Sequence, residues 1–159
     1  MNKLNVRKAT KEDISLLFDF INGLALYEKR PWDMTGTKQE LEYWLFEKNI
    51  ASSFIAELDG NPVGYAIYYP VFGSFSAKGK VHLEDIFINE EYRGKGLGKE
   101  FFAKVANFAL NDGYSGMEWS CLDWNTPSIN FYNKLGANEE TGRVYFEFSK
   151  QQMKDIFKF

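Results

Sequence analysis

The chain has 159 residues, of which 26% are charged, 45% hydrophobic and 18% aromatic, with 15 Phe, 9 Tyr and 4 Trp. This composition excludes intrinsic disorder and fits one globular domain that buries roughly two-thirds of its unfolded surface. Nineteen basic residues against 22 acidic ones leave a net charge of -3, which argues against nucleic-acid binding through a bulk basic surface.

In chain order, Thr10-Lys11-Glu12-Asp13 reads as a capping-box variant, followed by Ile14, Leu17, Phe18, Ile21 and Ala25 at helical spacing, so a helix is predicted to about Glu28. Pro31, Trp32, Asp33 and Gly36 mark residues 29–36 as a loop. Thr37-Lys38-Gln39-Glu40 is a second capping box, opening a helix with Leu41, Trp44 and Leu45. The apolar period then changes to that of strands over residues 53–57 and 62–69, joined at Asp59-Gly60 in a hairpin. A Gly/Ser loop is predicted over 72–80 and a strand over 81–89. A helix follows Gly98 to about Asn111, with Leu97, Phe101, Val105, Phe108 and Ala109 on one face. Residues 117–122 read as a strand, and Thr126-Pro127 as the start of a short helix ended by Gly136. A last strand is predicted over 143–148, and the tail 151–159 is compatible with a helix. The order predicts an α/β fold with a mixed sheet flanked by helices. No repeat or linker divides the chain, so residues 1–159 are expected to form a single domain.

Charges interrupt every apolar run short of a membrane span, and Met1-Asn2-Lys3-Leu4 lacks an apolar signal core, so a cytoplasmic protein without a membrane partner is expected. One Cys and one His build neither an internal disulfide nor a common zinc site, and no metal is expected. Cys121 is expected in the core. His82 is a poor hydrolase histidine, because no Gly-x-Ser-x-Gly elbow accompanies it.

The most informative stretch runs from the strand over 81–89 into Arg93-Gly94-Lys95-Gly96-Leu97-Gly98-Lys99 and then into a helix. Glycines let successive backbone N–H groups converge on one point, and the helix beyond adds the positive end of its dipole. Residues 93–104 hold four basic side chains (Arg93, Lys95, Lys99 and Lys104) and one acid (Glu100). Such a loop suits a pyrophosphate. A Rossmann fingerprint would need glycine at Lys99, and a P-loop would need Gly-Lys followed by Ser or Thr, so both fail.

The loop fits Arg-x-x-Gly-x-Gly, and with it the chain resembles the GCN5-related N-acetyltransferase (GNAT) superfamily. The segment Asn125-Thr126-Pro127-Ser128-Ile129-Asn130-Phe131-Tyr132-Asn133-Lys134-Leu135-Gly136-Ala137 carries the same resemblance, as does the opening Val6-Arg7-Lys8-Ala9-Thr10. Tyr27-Glu28, Gly64-Tyr65-Ala66-Ile67-Tyr68-Tyr69 and Leu83-Glu84-Asp85 are most similar to the diamine branch, the spermidine/spermine and thialysine acetyltransferases. The resemblance implies a mostly antiparallel sheet with a parallel pair splayed at the coenzyme A site. It also implies direct acetyl transfer from acetyl-CoA to an amine in a ternary complex, and a homodimer with Met153, Ile156 and Phe157 near the contact.

An alkylammonium with a pKa of roughly 10.4 must lose its proton before it attacks a thioester. Glu84, at the carboxyl end of its strand, is the candidate base, through a water. Asp85 is expected on the opposite face if the strand alternates regularly. Tyr132, with a phenol pKa of roughly 10, is the candidate acid for the departing thiolate. By resemblance, backbone groups of Ile86, Phe87 and Ile88 serve the carbonyl oxygen and the pantetheine arm. The loop Arg93, Gly94, Lys95, Gly96, Leu97, Gly98 and Lys99 holds the pyrophosphate, and Asn125 and Ser128 contact the cofactor. From position alone, Glu84 reads as a solvated strand carboxylate and Tyr132 as a core residue packed with Phe131; Trp119 and Trp124 are packing residues or walls of an amine pocket.

Tyr27 and Glu28 match family positions that bind the amine, with Trp32 and Asp33 as weaker additions. Two departures count against a long polyamine: residues 67–83 hold no acid, and Thr141 and Arg143 stand where the spermidine/spermine enzymes have glutamate and tryptophan. Arg143 suits a substrate carboxylate, which suggests a lysine-like amino acid or a short diamine. The alternatives are an acetyltransferase for protein or peptide amines, and a non-catalytic acyl-CoA binder.

Overall fold

Reciprocal caps set the first helices. Asp13 accepts the Thr10 N–H at 2.8 Å, and Thr37 and Glu40 cap each other's backbone N–H groups at 3.2 and 3.0 Å. The computed structural model describes residues 3–158 and divides the chain into two compact units, Met1–Trp124 and Asn125–Phe159.

In the first unit, strand β1 (Leu4–Lys8) leads through a 3-10 turn into α1 (Ile14–Tyr27). Helix α2 (Lys38–Glu42) continues into a π turn at Tyr43–Glu47. Strands β2 (Ser52–Leu58), β3 (Asn61–Gly73) and β4 (Lys78–Ile88) follow, then α3 (Leu97–Asn111) and the short β5 (Met117–Glu118). The sheet order is β1-β2-β3-β4-β5, antiparallel except for β4 and β5, which run parallel. One face of the sheet packs Phe54, Tyr68, Val81 and Leu83 against Phe101, Val105 and Ala109 of α3. The other packs Ile55, Tyr65, Ile67 and Phe87 against Leu17 and Phe20 of α1 and Leu45. Truncating one such ring, Phe54 or Phe101 for example, costs about 3–5 kcal/mol.

Several expectations need correction. Residues 4–8 form a strand that alternation does not reveal, because only Leu4 of the five is buried while Arg7 and Lys8 stay on the outer edge. The hairpin of β3 and β4 is longer than expected: pairing continues to Gly73 and Lys78, and the loop shrinks to residues 74–77. Asp59 and Gly60 both take positive φ, at 51° and 82°, as a two-residue hairpin turn requires. β5 ends at Glu118 rather than residue 122, since β4 and β5 pair only at Val81–Met117 and His82–Glu118. Cys121 therefore falls beyond the strand and is exposed.

The second unit contains α4 (Thr126–Leu135) and α5 (Lys150–Ile156). Asn125 caps α4 through the Ser128 N–H, one residue earlier than the cap expected at Thr126. Gly136 ends the helix at φ 83°. The strand expected over 143–148 is not formed: a β-prone run becomes a strand only where a partner supplies the ladder. None pairs with it among the described residues, and Val144, Tyr145, Phe146 and Phe148 are exposed.

Candidate active site

Strand β4 is irregular where the chemistry was expected. Ile67 pairs with Asp85 and the next residue, Tyr68, with Leu83, so Glu84 is the extra residue of a β-bulge. The bulge reverses the alternation: Val81 and Leu83 face the α3 layer before it, and Ile86 and Ile88 after it. Asp85 therefore does not sit opposite the α1 side as regular alternation predicts; its Oδ2 accepts the Tyr65 phenol at 2.9 Å, and Tyr65 belongs to the α1 layer.

A group of acids results. Burial, with the neighbouring charges of Glu84 and Glu28, pushes the Asp85 carboxyl up to about 6, although the Tyr65 hydrogen bond pulls it down. Burial also raises Glu28, the residue after the last turn of α1, with Glu84 contributing. The Tyr65 phenol is held well above its ordinary value by burial and by Asp85, so it remains a donor. Glu84 keeps an exposed side chain.

Beyond His82, β4 has no strand partner on its β5 side among the described residues, which leaves an edge alongside Ile86, Phe87 and Ile88. The chain then turns through Glu90–Tyr92 into the glycine loop. Gly94 and Gly96 take φ of 74° and 79°, and an added Cβ at either would meet open space. Gly96 is the N-cap of α3 and offers no side chain to cap the N–H groups of the first turn, where Leu97, Gly98 and Lys99 lie. These donors, the helix dipole and the basic side chains fit a pyrophosphate. Arg93 ties the loop to the rest of the site. Its Nε donates to the Ile88 carbonyl at 2.8 Å, and its guanidinium lies over the rings of Tyr27 at 4.6 Å and Phe87 at 5.2 Å. Lys95 donates to the Glu91 carbonyl.

The first unit thus brings together Tyr27, Glu28, Glu84, Phe87 and Arg93. Asn125, Ser128, Tyr132 and Arg143 belong to the second unit. There Tyr132 meets Phe131 edge-on, at 5.3 Å between centroids, and exposed Arg143 lies 3.5 Å from Glu140. Trp119 packs edge-on against Phe102; Trp124 lies under the Lys29 ammonium. Trp32 is exposed and Asp33 is paired with Arg30. Sequence reasoning missed Tyr65 and misplaced Asp85. The signal was present as a slip of phase, apolar residues at 81 and 83 and then at 86 and 88.

Residues 19–137 match the sequence pattern of the acetyltransferase (GNAT) family. The chain is 31% identical to the thialysine N-epsilon-acetyltransferase of Mus musculus over 168 residues, 98% of each. It is 43% identical over 74 residues to the L-ornithine N5-acetyltransferase of Arabidopsis thaliana, covering 46% of this chain and 32% of that one. An aminoglycoside N-acetyltransferase solved in complex with CoA superposes with a TM-score of 0.73 at 23% identity, over 94% of this chain and 97% of that one. A Vibrio cholerae integron cassette protein superposes at 0.78 with 20% identity, over 98% of each chain. With the strand, glycine loop and helix in that family's order and its pattern running through them, this chain belongs to the acetyltransferase (GNAT) family.

Proposed function

We propose that this acetyltransferase moves an acetyl group from acetyl-CoA to the primary amine of a small cationic substrate, a lysine-like amino acid or short diamine, by direct transfer in a ternary complex. The observation that carries this reading is that the bulge in β4, the strand leading into the glycine loop, brings Asp85 and Glu84 to Glu28 at the end of α1. Burial, with repulsion from the neighbouring acids, raises Asp85 and Glu28, and an ammonium placed among them offsets the charge they carry. The near full-length match to relatives named for thialysine supports an amino-acid amine.

Asp85 and Glu28 hold the cation, beside Tyr27, and Glu84 takes its proton through a water. The amine nitrogen then bonds to the thioester carbon, whose oxygen takes charge opposite backbone N–H groups of residues 86–88. The C–S bond breaks, Tyr132 gives its proton to the thiolate, and the second proton of the acylated nitrogen returns through water to the phenolate. Arg93, Lys95, Lys99 and the N–H groups around Gly94, Gly96, Leu97 and Gly98 hold the pyrophosphate, and Asn125 and Ser128 touch the cofactor. Arg143 binds the substrate carboxylate. The two units work as one catalytic domain, a reading supported by a family pattern that runs across their boundary. The working protein is a cytoplasmic homodimer, supported by exposed Met153, Ile156 and Phe157; sedimentation tests the dimer.

Thiol release from acetyl-CoA, measured across polyamines, short diamines, lysine analogues and peptides, tests the reading. Tyr132→Phe is expected to lower kcat by about a hundredfold, as loss of a general acid does. Equal rates for Tyr132→Phe and wild type would remove the phenol as the acid. Preference for peptides would overturn the small-amine substrate.

A further inference from the structure

The single histidine lies on β4, two residues before Glu84, and both of its ring nitrogens face carboxylates. His82 Nε2 is 3.9 Å from Glu84 Oε2, and Nδ1 is 3.5 Å from Glu118 Oε1, on the residue opposite it in the β4–β5 ladder. The ring stacks on Tyr69 of β3, 5.1 Å between centroids and 28° from parallel. That stacking restrains the imidazole plane, with one carboxylate near each ring nitrogen. The side chain of His82 is 21% exposed, whereas Glu84 and Glu118 are 56% and 53% exposed. Glu84 from its own strand, Glu118 from β5 and Tyr69 from β3 all face the ring. Lys80, two residues earlier on β4, carries its stem beside Gly116.

Every turnover leaves one proton on Glu84, which must depart before the next amine binds. A proton passed inward to Asp85 would reach a buried carboxyl, raised to about 6 by that burial, instead of solvent. It would also neutralise the pocket meant for a cation. An outward route avoids both. We infer that His82 is a positioning residue that relays the proton collected by Glu84 out to Glu118 and water. The inference rests on Glu84 being the base. The gap of 3.9 Å exceeds a hydrogen bond by about 1 Å, so the relay requires a rotamer change of the exposed Glu84 side chain. Glu84 then gives its proton to Nε2, and the imidazolium between two carboxylates gives the Nδ1 proton to Glu118, which releases it to water. One proton enters and one leaves. Exchange with water resets the tautomer of the partly exposed ring.

The test compares His82→Gln, Glu118→Gln and Glu84→Gln in steady-state kinetics, in light and heavy water, with and without added imidazole. His82→Gln is expected to lower kcat about tenfold, less than the loss of a base itself. KM for both substrates should stay within about twofold, since no ground-state contact is removed. Its solvent isotope effect on kcat should rise, and imidazole should restore part of the rate in His82→Gln but none in Glu84→Gln. An inactive Glu84→Gln beside a His82→Gln of unchanged kcat and isotope effect overturns the relay and leaves the base in place. A fully active Glu84→Gln removes base and relay together. If His82→Gln loses its circular dichroism signature, Glu118→Gln decides: a lower kcat with a larger isotope effect supports the relay, and wild-type values overturn it.

Discussion

The Tyr65 phenol donates to Asp85 Oδ2 at 2.9 Å although the two residues are not opposite each other, since Tyr65 pairs with Phe87 and Asp85 with Ile67. This diagonal bond opposes the burial that raises the acid to about 6. Tyr65→Phe is therefore expected to lift the Asp85 pKa further and move the acid limb of the kcat/KM profile for the amine to higher pH. The profile, or a carboxyl NMR titration, reads the shift. An unmoved limb would detach Asp85 from amine binding.

Asp85→Asn should separate binding from stability. Loss of the charge is expected to raise the amine KM by roughly tenfold or more, the scale of one charge-assisted hydrogen bond. The same change should stabilise the fold at neutral pH. A carboxyl raised to about 6 binds its proton more tightly when folded than when unfolded, so stability falls as pH rises from the ordinary carboxylate range through 6. Relieving that cost is worth roughly 3 kcal/mol. Urea melts at pH 5 and 8 should show the wild-type and variant proteins converging at the lower pH.

Acid should act in the opposite direction at β1. Arg7 binds both oxygens of Asp13, at 2.7 and 2.9 Å, and Glu57 at 2.8 Å, which holds the Asp13 carboxyl down at about 2. A depressed carboxyl stabilises above its unfolded pKa and loses that contribution as pH falls through the folded value. The loss should run from about pH 4 down to 2 and amount to about 1 kcal/mol, because the Arg7 side is open to water. Asp13→Asn should flatten this part of a stability-versus-pH curve.

Gly64→Ala tests the close approach that lets β3 pass the end of β4. A Cβ there would lie 2.2 Å from the Phe87 carbonyl oxygen, a backbone atom with no freedom to retreat. A loss of about 3 kcal/mol or more is expected, read by thermal or urea unfolding. Gly36→Ala, with no atom within 4 Å of the new methyl, is the control.

The legible parts of this protein were those written in local chemistry. Capping pairs at Thr10 and Thr37, the Asp59-Gly60 turn, the α3 face and the glycine loop each declare themselves within a few residues. What stayed hidden depends on partners distant in sequence. Residues 143–148 have the composition of a strand and no ladder among the described residues, whereas residues 4–8 have charges and gain a ladder from β2. The carboxylate group was misread at one point because alternation was carried through Glu84. The phase slip between Leu83 and Ile86 was visible, but its meaning depends on the pairing of β3 with β4.

That slip separates reactivity from architecture. Between Val81 and Ile88, residue 84 is the one position the β3–β4 ladder skips, so its side chain contributes to no cross-strand pair. Changing it exchanges the chemistry while the scaffold stays as it was. A collection of variants at this position would sample reactivities on a constant fold, and their unfolding midpoints should cluster even where their turnover rates diverge.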